Sequence, residues 1–230
     1  MNHGPNLAAA SWAILRKDLR LELRTKESLT ATVIFTTTTF VLFHFGTGRD
    51  ALEGQLAAGV FWVTLLFAAV LAINRLLHTE YEQGGFEALL LAPIDRNAIL
   101  IAKASMLFVV LSVLEAIALP IYTLLLLRHD PVGALAQLIP VMLLANLGIA
   151  VVGTLVAGIA SSTRARELLV PLLSLPLMVP LLIGAARATG QLLAANPGAA
   201  VLGRWIALMA LYDAVFLLLA YAVFDFLLEE

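Results

Sequence analysis

The sequence predicts an all-α integral membrane protein: six transmembrane helices preceded by a helix at the membrane interface. Three observations predict it. Of the 230 residues, 61% are hydrophobic and only 13% are charged, against about 45–50% and about 25% in a soluble domain. Mean hydropathy is +0.97. Six apolar stretches, at about 29–45, 56–77, 104–127, 134–160, 168–183 and 205–228, reach or approach the roughly 20 residues a spanning helix needs. They are too long and too evenly apolar for barrel strands, and only a helix satisfies its own backbone amides in lipid.

The same numbers exclude several classes. A net charge of -2 gives no footing for nucleic acid. The absence of cysteine excludes disulfides, thiolate metal sites and cysteine-attached haem. No signal peptide is expected, because the first apolar run follows a charged segment and lacks a small-residue cleavage site after it. The phosphate-cradling pattern G-x-x-x-x-G-K-[ST] is missing, and 230 residues leave no room for a nucleotide-binding domain beside the membrane domain. Any ATP hydrolysis is therefore expected on another chain.

Residues 8–28 read as an interfacial helix. Trp12, Leu15, Leu19 and Leu23 make an apolar stripe at helical spacing, with Ile14 and Leu21 off it. Trp12 suits the headgroup level, and Arg16, Arg20 and Arg24 can reach lipid phosphates. An orientation signal with some helicity is the plainer reading. Lys and Arg count 10 on the side shared by the termini and 4 on the other, which predicts cytoplasmic N- and C-termini.

The connection 78–103 is the longest polar interruption. Glu80 and Glu82 precede Gly84 and Gly85, which can end one helix and begin another. Phe86, Leu89 and Leu90 then share a face, Glu87 lies among them, and Pro93 closes the piece. Asp95 can cap the next helix. The pattern fits a docking helix for a cytoplasmic partner. It fits equally a loop helix resting on the membrane.

Within the spans, Gly148, Gly153 and Gly158 suit close helix packing. Pro171, Pro176 and Pro180 predict a bent, short fifth span. Residues 185–204 contain Gly190, Asn196, Pro197 and Gly198, and read as an outer connection that is either a surface loop or short re-entrant helices. Glu115 lies about 11 residues into the third span, roughly 16 Å along its axis, and Asp213 about 8 residues into the sixth. A carboxylate at a helix centre costs about 2.5–3.5 kcal/mol on insertion scales, so it normally faces the bundle interior. Each is either a polar contact for cargo or a structural group held by a hydrogen bond. Asn146 and the threonines at 36–39 are candidate partners, and Arg187 is one for Asp213. No catalytic residue and no metal site is assigned. His3, His44, His78 and His129 lack any paired spacing or flanking tryptophans and read as ordinary interfacial histidines.

Three stretches, LRKDLRLELRTKESL, YEQGGFEALLLAPIDRNAILIAK and RARELLVPLLSLPLMVPLLIGA, resemble the permeases of type-2 ATP-binding-cassette exporters. Within that class they are most similar to the B-component permease of the cytochrome c maturation haem exporter. The connection departs from that family's usual E-D-G-S-L-E-Q-L-L-L-S-P at Gln83, Gly85, Phe86, Ala88 and Ala92, and agrees at Glu82, Gly84, Glu87, Leu89, Leu90, Leu91 and Pro93. The resemblance implies that residues 1–230 form a single permease domain in a bacterial inner membrane. It also implies an ATPase subunit dimer that carries the ATP and docks on the helix at 86–91. A haem-handling membrane subunit would be a further partner, beside the membrane lipids, and haem would be cargo rather than a resident cofactor. Two other functions stay open: a generic exporter of lipid, glycan or drug, and a scaffold that relays ATPase motion to a haem-handling neighbour. The exporter reading expects Glu115, Asn146 and Asp213 to line one cavity.

Overall fold

The computed structural model describes residues 6–48, 51–82, 94–127, 131–161, 163, 166–193 and 199–227. These form seven helices: α1 (Leu7–Thr25), α2 (Glu27–Gly46), α3 (Gly54–Glu82), α4 (Arg96–Leu126), α5 (Leu135–Ser161), α6 (Arg166–Leu192) and α7 (Ala199–Leu227). A short 3-10 turn, Pro131–Ala134, leads into α5. The six helices α2 to α7 are each long and apolar enough to cross a membrane. The protein is an all-α membrane protein, as its composition requires.

Helices α3 and α5 form the centre, and most of their surface is buried. Helices α4 and α6 pack against both, α2 lies over α3 and α4, and α7 lies over α5, α6 and α4. Helix α1 runs across the start of α4. Consecutive spans alternate direction, so the starts of α2, α4 and α6 and the ends of α3, α5 and α7 share the end of the bundle that carries α1.

Each boundary has a local cause. The break between α1 and α2 is a single residue, Lys26, in the left-handed conformation at φ 53°. Its N–H closes α1 on the Glu22 carbonyl at 2.6 Å. The Glu22 carboxylate then accepts the Leu29 N–H at 2.8 Å, which caps the otherwise open start of α2. The expected cap by Asp95 is present: its side chain accepts the Asn97 N–H at 2.9 Å and starts α4.

Glycine sets the spacing around α5. A methyl on Gly153 would lie 2.6 Å from Ile73 Cδ1 of α3 and 3.0 Å from Leu107 Cδ2 of α4. One on Gly158 would lie 3.1 Å from the Phe224 ring of α7. With no side chain there, α5 meets several neighbours at near-backbone range, the close-packing role the sequence suggests.

At the end away from α1, an aromatic knot ties four helices. Phe61 lies 4.9 Å from Tyr122 and Phe40 5.3 Å from Tyr122, ring centre to ring centre. Trp62 abuts Phe61 edge-on at 5.5 Å and donates its indole N–H to Thr189 Oγ1 at 2.9 Å. Helices α2, α3, α4 and α6 are thereby joined.

Two expectations change. The fifth span does not stop near 183, nor do separate re-entrant helices or a loop occupy the start of 185–204. Helix α6 continues unbroken to Leu192, Pro171, Pro176 and Pro180 included, and α7 has begun by Ala199. Gly190 acts as a contact rather than a breaker, and so does Gly184 before it. Gly184 leaves room for Met209, and Gly190 for the Gln55 side chain. Residues 194–198 lie outside the described residues.

The stripe on α1 is also rotated from expectation. Ala10, Ile14 and Asp18 form the buried face, Leu15 and Leu19 are partly buried, and Trp12 and Leu23 are exposed. Ile14, which fell off the expected stripe, packs with Ile99, Leu100 and Ala102 of α4. A protein neighbour, rather than lipid, takes the inner side of this helix.

Candidate functional site

Functional side chains group at two levels, one at the α1 end and one inside the bundle. The α1 end is built by overlength helices. The 31 residues of α4 extend about 46 Å at 1.5 Å per residue, against a hydrocarbon core of about 30 Å. Helix α3, with 29 residues, is similarly long. The last turns of α3 and the first turns of α4 are thus long enough to stand clear of the hydrocarbon on either side of the connection. Glu82 is the last residue of α3. Gly84, Gly85, Phe86, Glu87, Leu89, Leu90 and Pro93 lie outside the described residues.

The start of α4 is locked to α1 by an ion pair. Lys103 Nζ lies 2.7 Å from Asp18 Oδ2, and the two side chains are 6% and 7% exposed. Lys17 approaches the other carboxylate oxygen at 3.0 Å from a half-exposed position. Sequence reasoning missed this pair. The available signal was the i, i+4, i+8 series Ala10, Ile14, Asp18, an acid seated in an otherwise apolar row.

Inside the bundle, Glu115 of α4 and Asn146 of α5 come together as expected. Asn146 Nδ2 donates to Glu115 Oε2 at 2.7 Å and lies 3.4 Å from Ser112 Oγ. Glu115 and Asn146 are 4% and 2% exposed. Glu115 Oε1 has no hydrogen-bond partner among the described residues. Thr36 is also buried, with no hydrogen-bond partner for its hydroxyl among the described residues, and Thr39 bonds back to the Phe35 carbonyl, so neither serves Glu115.

Asp213 of α7 is 3% exposed, and neither carboxylate oxygen has a hydrogen-bond partner among the described residues. The expected Arg187 pairing does not form, and the Arg187 side chain is exposed. The carboxylate sits over Gly148, where a methyl would overlap it and Leu181. Next to it, Tyr212 donates its hydroxyl to the Leu177 carbonyl at 2.7 Å, between Pro176 and Pro180 on α6. Asn146 and Gly148 are two residues apart, about 200° around α5. Glu115 and Asp213 therefore lie on nearly opposite sides of α5 rather than lining one cavity.

His44 binds through Nδ1 to the Leu125 carbonyl, tying the end of α2 to that of α4. His3 and His129 lie outside the described residues. Trp12 is 61% exposed, and Arg16, Arg20 and Arg24 are exposed with it on the outer side of α1.

Known proteins resemble this chain along most of its length. The chain is similar to the Heme exporter protein B of Rhodobacter capsulatus, 31% identical over 172 residues that cover 74% of this chain and 78% of the relative. It is 30% identical to the protein of that name from Paracoccus denitrificans over 177 residues, covering 76% and 80%. With that of Pseudomonas aeruginosa it shares 28% identity over 186 residues, covering 77% and 81%. The family model described as CcmB protein matches residues 9–227, from the first turn of α1 to the end of α7, and the chain belongs to that family.

Proposed function

We propose that this chain is the membrane permease subunit of an ATP-binding-cassette complex that exports haem for c-type cytochrome biogenesis. The relatives named Heme exporter protein B support the cargo. The observation that supports the coupling is the length of α3 and α4, the helices on either side of the patterned connection 78–103, both longer than a hydrocarbon crossing needs. In this reading a separate ATPase dimer hydrolyses ATP and pushes on residues 86–91. The stroke enters α4, and the bundle shifts to move haem or to release a haem-loaded chaperone on the far side. The excess of Lys and Arg on the side of the termini supports a cytoplasmic location for both, and the bacterial relatives support a bundle in the inner membrane.

One observation favours a second reading. Glu115 and Asp213 face away from each other across α5, which gives a single copy no shared polar path. A relay scaffold, which passes ATPase motion to a haem-handling neighbour, needs none.

The test is purification from native membrane in mild detergent, with mass spectrometry of what accompanies the chain. An ATPase bearing G-x-x-x-x-G-K-[ST], together with a haem-handling membrane protein, is expected. Glu82→Lys with Glu87→Lys should detach the ATPase, and normal assembly of that variant would remove the docking assignment. An ATPase without a haem-handling protein would favour a generic exporter. Haem retained by the neighbour but never by this chain would favour the relay.

A further inference from the structure

We infer that the outer edge of α1 is a binding surface for anionic phospholipid. The orientation of this helix is fixed by its inner side. Ile14 and Asp18 are 7% and 6% exposed, packed against the start of α4 and held by the Asp18–Lys103 pair. That leaves one edge facing outward, and it carries Trp12, Arg16, Arg20, Leu23 and Arg24. Trp12 and Leu23 are 61% and 71% exposed. The three arginines follow at i, i+4 and i+8, about 6 Å apart along the axis.

Charge accounting makes the edge cationic rather than mixed. Every acid from 7 to 27 is engaged within the protein. Asp18 is held by Lys103 and Lys17. Glu22 accepts the Leu29 N–H. Glu27 lies 3.4 Å from Arg75. Arg16, Arg20 and Arg24 have no carboxylate partner among the described residues. An indole and a leucine flanking a row of unpaired guanidiniums match the boundary between acyl chains and phosphates, with the apolar groups seated below the headgroups and the arginines on phosphate oxygens. A neutral, zwitterionic surface would not reward three unpaired cations. An anionic leaflet does, by about fivefold in affinity per cation near its surface.

The experiment is native mass spectrometry of the purified full chain titrated with phosphatidylglycerol or phosphatidylcholine. The wild type should retain phosphatidylglycerol preferentially. Arg16→Gln, Arg20→Gln and Arg24→Gln combined should weaken it about 100-fold. Trp12→Ala should weaken both lipids. Arg16→Lys, Arg20→Lys and Arg24→Lys combined should keep the preference, since charge at a phosphate suffices. Arg204→Gln, an exposed cation at the other end of the bundle, should change nothing. Equal retention of the two lipids by wild type would overturn the inference. So would a triple glutamine variant that binds phosphatidylglycerol normally. If that variant instead lost an acidic protein partner, with lipid binding intact, the edge would be assigned to that protein.

Discussion

Replacing Asp18 by Asn should free α1 from α4. The substitution keeps the side-chain shape but leaves the Lys103 ammonium, 6% exposed, without a counter-charge. Breaking a buried ion pair from one side costs about 3–5 kcal/mol. If that energy holds α1 in place, the helix opens about 100- to 5,000-fold more often, at tenfold per 1.36 kcal/mol. Lys103→Met should do less, because Lys17 remains 3.0 Å from the Asp18 carboxylate. Asp18→Leu with Lys103→Met should restore or exceed wild-type docking, since an apolar pair of similar size carries no desolvation penalty. Hydrogen exchange of the full chain in detergent reads this directly. Amides of Leu7–Thr25 should lose protection in the order Asp18→Asn, then Lys103→Met, then the double variant, while the far end of the bundle stays protected. Unchanged α1 protection in Asp18→Asn would refute the reasoning. So would a double variant as labile as the singles, which would show that an apolar pair cannot replace the ion pair.

Three further outcomes follow from single contacts. Asn146→Leu removes the donor at 2.7 Å from Glu115 and should destabilise the bundle by about 1–3 kcal/mol, seen as a lower thermal midpoint in detergent. Trp62→Phe leaves the buried Thr189 hydroxyl without its indole donor and should lower stability by about 1 kcal/mol in a denaturant titration. Gly153→Val forces Ile73 and Leu107 aside and should lower stability by about 1–3 kcal/mol. Gly59→Ala, with open space at its Cβ, should instead raise it by up to about 1 kcal/mol through helix propensity, and the opposite signs can be read in one thermal series.

Fold class was legible because lipid imposes a length and a hydropathy on every span, and Asp95 was legible as a cap because capping is local. The reach of α6 was not. Gly190 looks like a breaker in sequence, yet in the bundle its missing side chain admits Gln55, as that of Gly184 admits Met209, and the helix runs on. Hydropathy also cannot tell lipid from protein as the neighbour of an apolar face. The α1 stripe was therefore assigned to lipid on Leu15 and Leu19, whereas the buried row runs through Ile14 and Asp18. Partnerships between buried polar groups depend on which helices are adjacent. Glu115 met a partner foreseen for it, while Asp213 met Gly148 and not Arg187.

These contacts converge on α4. Its first turns follow the connection that the proposed ATPase would push, and Lys103 fixes α1 to it there. Twelve residues further, about 18 Å along the axis, Glu115 joins it to α5. At its far end the Leu125 carbonyl receives His44, and the Leu126 carbonyl accepts the Leu52 N–H at 2.7 Å, so α2 and the entry to α3 are attached as well. A push on the connection would therefore reach both faces of the bundle through one helix, without any polar channel. Helix α7 sits differently. It contacts α4 only lightly, and its carboxylate rests over Gly148 with no hydrogen bond holding it among the described residues. Under such a stroke α4, α5 and α2 would move together, and the α5–α7 seam at Gly148 and Asp213 would part without breaking a side-chain hydrogen bond among the described residues.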